Sequence, residues 1–419
     1  AGNALQLPGL STAITPHPYQ RAAVARILAE PGTLLDHVVG AGKTGTMQMA
    51  AMELRRTGVA TSPWFVVPNH LVEQTAKEFA TWYPDSRVMT MASGANPAQR
   101  RTYVARSAAA DWDAVICPMS VFERINIDTE RANRWAQEQI AGMRAQLQGA
   151  QAGTGKKNDT RVKAIERQIK AVEKKFAAHA EGKDVGLTFE SSGCDYLFVD
   201  EAHNYKNLAR ASDYRELACV PGSGRATDLD WKLRALREAK VEAATRSGRD
   251  VATYVPAVAT FATGTPVANN LSEMWVMQHY LAPHVLDGLG LTTVDAWAQQ
   301  FTTNITKMEI GPDGSTWRMK DRVAGIVNAP ELIALADRYT DRVTREDIPA
   351  TLPTLAGGQR TLATRPATPE VAAFIRQLAE RANNMPSDPS IDNLLKITHE
   401  GRMIALDPRT LGMAKESDG

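Results

Sequence analysis

The sequence predicts an α/β protein, a doubly wound, mostly parallel sheet with a helical-hairpin insertion and a helical C-terminal extension. Three observations predict it. Short apolar, β-rich runs alternate with helix-spaced stretches through the first two-thirds of the chain. Those runs are apolar at successive positions, as strands covered on both faces require. One of them leads into a Gly-Lys-Thr loop that opens a helix, and another ends in adjacent carboxylates.

The strands are expected at "TLLDHVV" (33–39), "WFVVP" (64–68), "RVMTMA" (87–92), "DAVICP" (113–118), "DYLFVD" (195–200) and "VATFATG" (258–264). The helix after the Gly-Lys-Thr loop is expected over 44–57. Ala136, Ile140, Met143 and Leu147 recur at helical spacing, as do Val162, Ile165, Ile169, Val172 and Phe176 after a polar, Gly-rich turn. Two amphipathic helices so joined predict an antiparallel hairpin inserted over 128–185, its apolar seam satisfied within itself. A further helix is expected within 225–247. The sheet domain is thus placed at 1–285, followed by a helical and loop extension over 286–349, where "PDGS" (312–315) marks a turn between short strands.

A chain of 419 residues with 43% apolar and 23% charged residues can bury a sizeable core and is not disordered throughout. No apolar run approaches the roughly 20 residues that span a bilayer. No basic stretch followed by an apolar core reads as a signal peptide. The three cysteines lack C-x-x-C spacing, so neither a disulfide framework nor a zinc site is expected, and a reducing, cytoplasmic setting is. A net charge of +1 confines any nucleic-acid surface to a local patch. The lysines and arginines on the second hairpin helix could form one, or could be only a solvated face.

"LLDHVVGAGKT" (34–44) has the form of a phosphate loop with His37 in the first glycine position. Gly40 and Gly42 would let the backbone approach phosphate oxygens closely. Lys43 would reach the β- and γ-phosphates of ATP, and the Thr44 hydroxyl would hold Mg²⁺. "DYLFVDEAH" (195–203) ends a strand in two carboxylates. Asp200 would bind Mg²⁺ and Glu201 would orient or deprotonate the attacking water. In a parallel sheet both groups fall at the carboxyl edge, where such sheets bind ligands.

These motifs, in this order, resemble superfamily 2 helicases, and among them the Swi/Snf-like DNA translocases, over roughly residues 15–285. The resemblance implies a RecA-like motor lobe. "HPYQ" (17–20) matches the adenine-sensing element, with Gln20 in the adenine-reading place. "WFVVPNHLVEQTAKEF" (64–79) and "AVICPMSVFERI" (114–125) resemble the elements that touch the nucleic-acid backbone, which points to Pro68, Asn69, Pro118 and Ser120. "DEAHNYKN" (200–207) matches the acidic motif, with His203 a coupling residue and Lys206 a further DNA contact. "TGTPVANNLSEMW" (263–275) implies that Thr263, Gly264 and Thr265 couple hydrolysis to movement. Helicases of this kind often lack the first loop glycine; Ala268, where glutamine is common, departs from the pattern.

The resemblance implies double-stranded DNA and a second RecA-like lobe as partners. Residues 350–378 look like the linking segment and 392–408 like the first helix of that lobe, which is expected to be incomplete within 419 residues. Arg345 and Arg360 fall on the linker, so slow turnover by this stretch alone is expected. A narrower likeness, to helicase-like polypeptides of phages and mobile elements, suggests a bacterial or phage origin and a methyltransferase or nuclease module as partner. A nucleotide-regulated scaffold without productive turnover stays open as the alternative, as does strand separation in place of translocation.

Overall fold

The computed structural model describes residues 5–151, 162, 165–166, 169–170, 173, 188–210, 212, 217–219, 222–268, 270–310, 317–348, 362, 366–386, 388 and 390–412. The chain divides into two compact units, residues 1–303 with 323–349, and residues 304–322 with 350–419.

The first unit is built on strands β1 (Gly32–His37), β2 (Pro63–Val67), β3 (Val88–Thr90), β4 (Ala114–Pro118), β5 (Tyr196–Val199) and β6 (Ala259–Thr263). All six expected strands form. A seventh, at Thr340–Val343, completes the order β3-β4-β2-β5-β6-β1 followed by this edge strand. Every pairing in the sheet is parallel, so all the strands end on one edge.

Successive residues face opposite sides of the sheet. Leu35, Phe65, Phe198 and Ala262 pack under α1 (Pro18–Ala29), α2 (Lys43–Arg56) and α3 (Val72–Trp82). Leu34, Trp64, Val66, Leu197, Val199 and Phe261 belong to the core on the other face. Helices α4 (Pro97–Ala109), α5 (Met119–Phe122), α6 (Thr129–Gln151), α7 (Gly224–Arg246), α8 (Ser272–Leu281), α9 (Pro283–Gly288) and α10 (Val294–Phe301) follow in chain order. Burial on both faces explains why the strands read as unbroken apolar runs rather than alternating ones.

After α10 come the paired strands β7 (Thr302–Ile310) and β8 (Trp317–Ile326), then α11 (Ala329–Asp337) and β9 (Thr340–Val343). The expected turn at 312–315 lies outside the described residues. Reading 286–349 as helices and loops missed β9, which joins the main sheet beside β1. "TDRV" has only one apolar residue, because an edge strand need not be apolar along its length.

In the hairpin, Met143, Ile165 and Ile169 are buried together, with Ile140, Leu147 and Val162 packed against them. Val172 and Phe176 lie outside the described residues. The expected self-contained seam holds only for this outer part. At the base of α6, Ala132, Trp135 and Ala136 are buried with Trp231 and Ala235 of α7. Trp135 Nε1 also donates to Glu238 at 3.2 Å, and Arg234 stacks over its ring. Trp135 falls outside the period read at Ala136, Ile140, Met143 and Leu147, which therefore carries no sign of the surface it covers.

In the second unit, α12 (Pro369–Asn383) and α13 (Leu394–Leu406) bury Leu378, Ala382 and Ile397. Arg381 joins them through Asp392 and Glu400. Most of the expected linking segment at 350–378 lies outside the described residues up to 365.

Candidate nucleotide site

The loop between β1 and α2 has Gly40 at φ 88° and Gly42 at φ 73°, left-handed conformations that cost glycine little. A Cβ on Gly42 would stand 2.7 Å from Gln20 Nε2, so only glycine lets this amide approach. Gly42 is the residue preceding α2, and no side chain caps the helix. Its first-turn N–H groups therefore keep their hydrogen-bonding capacity, with the positive end of the helix dipole behind them.

Lys43 folds back, its Nζ donating to His37 O at 3.0 Å and, more weakly, to Val38 O at 3.5 Å. Gln20 Nε2 donates to Gly42 O at 3.2 Å, while Gln20 Oε1 accepts from His17 N and closes the start of α1. Tyr19 OH donates to Ala41 O at 3.2 Å. Thus α1 touches the loop through both Tyr19 and Gln20. Thr44 lies half-buried in the first turn of α2.

Asp200 follows β5 and is 7% exposed. Burial pushes its carboxyl up from 3.8 to about 6, with the Glu201 and Glu78 charges adding; the Glu201 amide and the Lys43 ammonium oppose the rise. Lys43 and Asp200, 157 positions apart in sequence numbering, thus sit within each other's field. Glu201 has φ 47°, an uncommon conformation for a residue with a Cβ. Strain of this kind persists where the surroundings impose it, and it is concentrated at functional sites. Here Glu201 N donates to Asp200 Oδ1 at 2.9 Å and Asn204 Nδ2 to Glu201 O at 2.9 Å, and together they hold the turn.

The end of β6 closes the group. Asp36 of β1 is registered with Thr263 of β6, and a Cβ on Gly264 would meet His37 O at 3.3 Å. His203 Nδ1 lies 3.1 Å from Glu201 Oε2 and 3.2 Å from Thr263 Oγ1, and Thr265 N donates to the same hydroxyl. Gln20, Gly40, Gly42, Lys43, Thr44, Asp200, Glu201, His203, Thr263, Gly264 and Thr265 therefore gather at the carboxyl edge of one sheet.

Residues 26–344 match the family model described as "Probable helicase domain". The chain belongs to this helicase family. No curated protein matches it. Among solved structures, the helicase chain is similar to the Sulfolobus solfataricus SWI2/SNF2 ATPase core in complex with dsDNA at 15% identity and a TM-score of 0.44, covering 99% of this chain and 62% of that one. It is also similar to the SWI2/SNF2 ATPase core domain of the same organism, at 14% identity and a TM-score of 0.41, covering 98% of this chain and 60% of that one. The helicase chain therefore spans about three-fifths of the length of each.

Four of the expected DNA-contact residues of the helicase chain, Pro68, Asn69, Pro118 and Ser120, lie at or just after the ends of β2 and β4. Asn69 Oδ1 accepts from Ser120 N at 3.2 Å and so joins the two elements. Pro68 is half-buried and Pro118 buried. Lys206 does not offer the free amine expected of a phosphate contact. Its side chain is 13% exposed and pairs with Glu273 Oε1 at 3.2 Å. The other oxygen, Glu273 Oε2, accepts from Ala268 N at 2.7 Å. Lys206 therefore ties the acidic motif to the loop after β6. Glu273 lies within "TGTPVANNLSEMW" and Tyr19 beside Gln20, and neither carries a sequence signal of its own. Among the described residues no group of three or more His, Cys, Asp or Glu could hold a metal ion, and no helix is long and apolar enough to cross a membrane.

Proposed function

We propose that the chain is the first lobe of an ATP-driven motor that binds Mg-ATP and couples its hydrolysis to movement along double-stranded DNA. The observation that carries this reading is the placing of Lys43 and Asp200 at the carboxyl edge of one parallel sheet, beside two left-handed glycines at the mouth of an uncapped helix. The residues fit a nucleotide phosphate. Nothing lies within 4 Å of a Cβ built on Gly40, and the Lys43 ammonium rests on two neutral carbonyls that a phosphate charge would outcompete.

Lys43 and the α2 amides would bind the phosphates, and Gln20 would read the adenine. The Thr44 hydroxyl and the Asp200 carboxylate would hold Mg²⁺, which supplies charge neutralisation on the phosphoryl group. Glu201, turned by its positive φ, would orient the attacking water and take its proton. His203 bridges Glu201 to Thr263, so a change at the phosphate would be felt in the loop that follows β6. Membership of a helicase family and the two adjoining elements at Asn69 and Ser120 support DNA as the track. A second such lobe would close the nucleotide and supply an arginine to the transferring phosphoryl group.

Calorimetric titration with Mg-ATP tests the site. Lys43→Ala is expected to weaken binding by about 1.5–3 kcal/mol, the scale of a hydrogen bond to a charged group. Equal affinity in the folded variant would overturn the assignment.

A further inference from the structure

His37 stands where a phosphate loop ordinarily has its first glycine, yet its side chain is fully buried. The imidazole leaves the cradle and enters the seam between β1 and β9. There its Nε2 meets Asp341 Oδ1 at 2.8 Å. An ionised carboxylate only accepts, so Nε2 carries the proton and donates it. The other ring nitrogen, Nδ1, is buried with no partner among the described residues, so Asp341 supplies the ring's one hydrogen bond there. The same backbone feeds the loop. His37 O accepts from Lys43 Nζ, Val38 N donates to Val343 O at 3.0 Å, and Ala41 N donates to Val38 O at 3.2 Å.

We propose that Asp341 is a positioning residue for the phosphate loop and acts through His37. The inference rests on the reading of that loop as a nucleotide site. Without Asp341 the buried Nε2–H has no acceptor, a state that folded proteins avoid. The ring then loses the one bond that fixes it at the end of β1. The backbone that presents Lys43 and the α2 amides moves with it. With glycine in place of His37 there is no ring to restrain, and Asp341 has nothing to act on.

The test is a double-mutant cycle read by Mg-ATP affinity and by the separation of KM from kcat. Asp341→Ala is expected to raise Kd and KM for ATP about tenfold with kcat changed less than twofold. The loop grips the phosphates in ground and transition states alike, so its loss falls on uniform binding. In a His37→Gly background the same substitution is expected to change Kd less than twofold. Asp341→Asn, which keeps an acceptor oxygen, is expected to stay within threefold of the parent. Should Asp341→Ala fail to fold, Asp341→Thr, suited to an edge strand but too short to reach the ring, takes its place. An equal loss with and without the His37→Gly substitution, or no loss in either background, would overturn the inference. If the unaltered chain and Lys43→Ala bind Mg-ATP alike, the nucleotide reading itself fails, and that outcome is separate from any result at Asp341.

Discussion

Asp200 is predicted to cost the ligand-free protein stability that its removal restores. The carboxyl sits 7% exposed after β5, and burial raises its pKa from 3.8 to about 6. The folded chain therefore holds this proton more tightly than the unfolded chain does. Below about pH 4 both states are protonated and the site costs nothing. As the pH rises from about 4 to about 6 the unfolded chain ionises first, so stability falls. Above about 6 the whole difference is lost. A shift of about 2 units at about 1.36 kcal/mol each gives roughly 3 kcal/mol, an upper figure for a site that can relax. Asp200→Asn removes the charge and keeps an oxygen for the Glu201 amide, so it is expected to stabilise the fold by about 1–3 kcal/mol at pH 7.5. The assay is urea unfolding in metal-free buffer at pH 7.5 and at pH 4.5, with and without Mg-ATP in parallel samples at pH 7.5. The gain should shrink at pH 4.5, and Mg-ATP should stabilise the parent but not the variant. A variant less stable than the parent at pH 7.5, or a gain unchanged at pH 4.5, would refute the reasoning.

Glu201→Gln is expected to keep Mg-ATP affinity within threefold while single-turnover hydrolysis slows by about 10²–10⁴, the worth of a positioned general base; weakened binding with unchanged chemistry would place Glu201 in the wrong role. Trp135→Ala is expected to destabilise the first unit by about 3–5 kcal/mol in chemical unfolding, the usual cost of emptying a buried tryptophan site. A loss below about 1 kcal/mol would mean that the base of the hairpin does not hold α7, and that the whole insertion can be removed without harm.

The sheet and the convergence of the candidate site residues were legible in the sequence for one physical reason. A parallel sheet buried on both faces writes its strands as continuous apolar runs, and it brings their carboxyl ends to one edge. Once "LLDHVV", "DYLFVD" and "VATFATG" were strands, Lys43, Asp200 and Thr263 had to converge. What stayed hidden was set by contacts between distant segments. "TDRV" carries no apolar run, so β9 fell within a stretch read as helices and loops, and Asp341 could not be matched to a histidine 304 positions earlier. The helical period of α6 placed Ile140 and Met143 correctly but could not tell that Trp135 faces α7 rather than its own hairpin. The resemblance pointed to Lys206 as a DNA contact. Its partner Glu273 lies in another motif, and only the fold brings the two within 3.2 Å.

The central claim is that nucleotide turnover at this site is coupled to DNA. The most direct measurement is steady-state phosphate release from Mg-ATP, with and without duplex DNA, by the chain joined to a second motor lobe. Duplex DNA is expected to raise the rate at least tenfold, and Lys43→Ala is expected to abolish both the basal and the stimulated release. A joined protein that binds Mg-ATP through Lys43 yet releases phosphate at the same rate with and without DNA would contradict the account and mark the chain as a nucleotide-regulated scaffold.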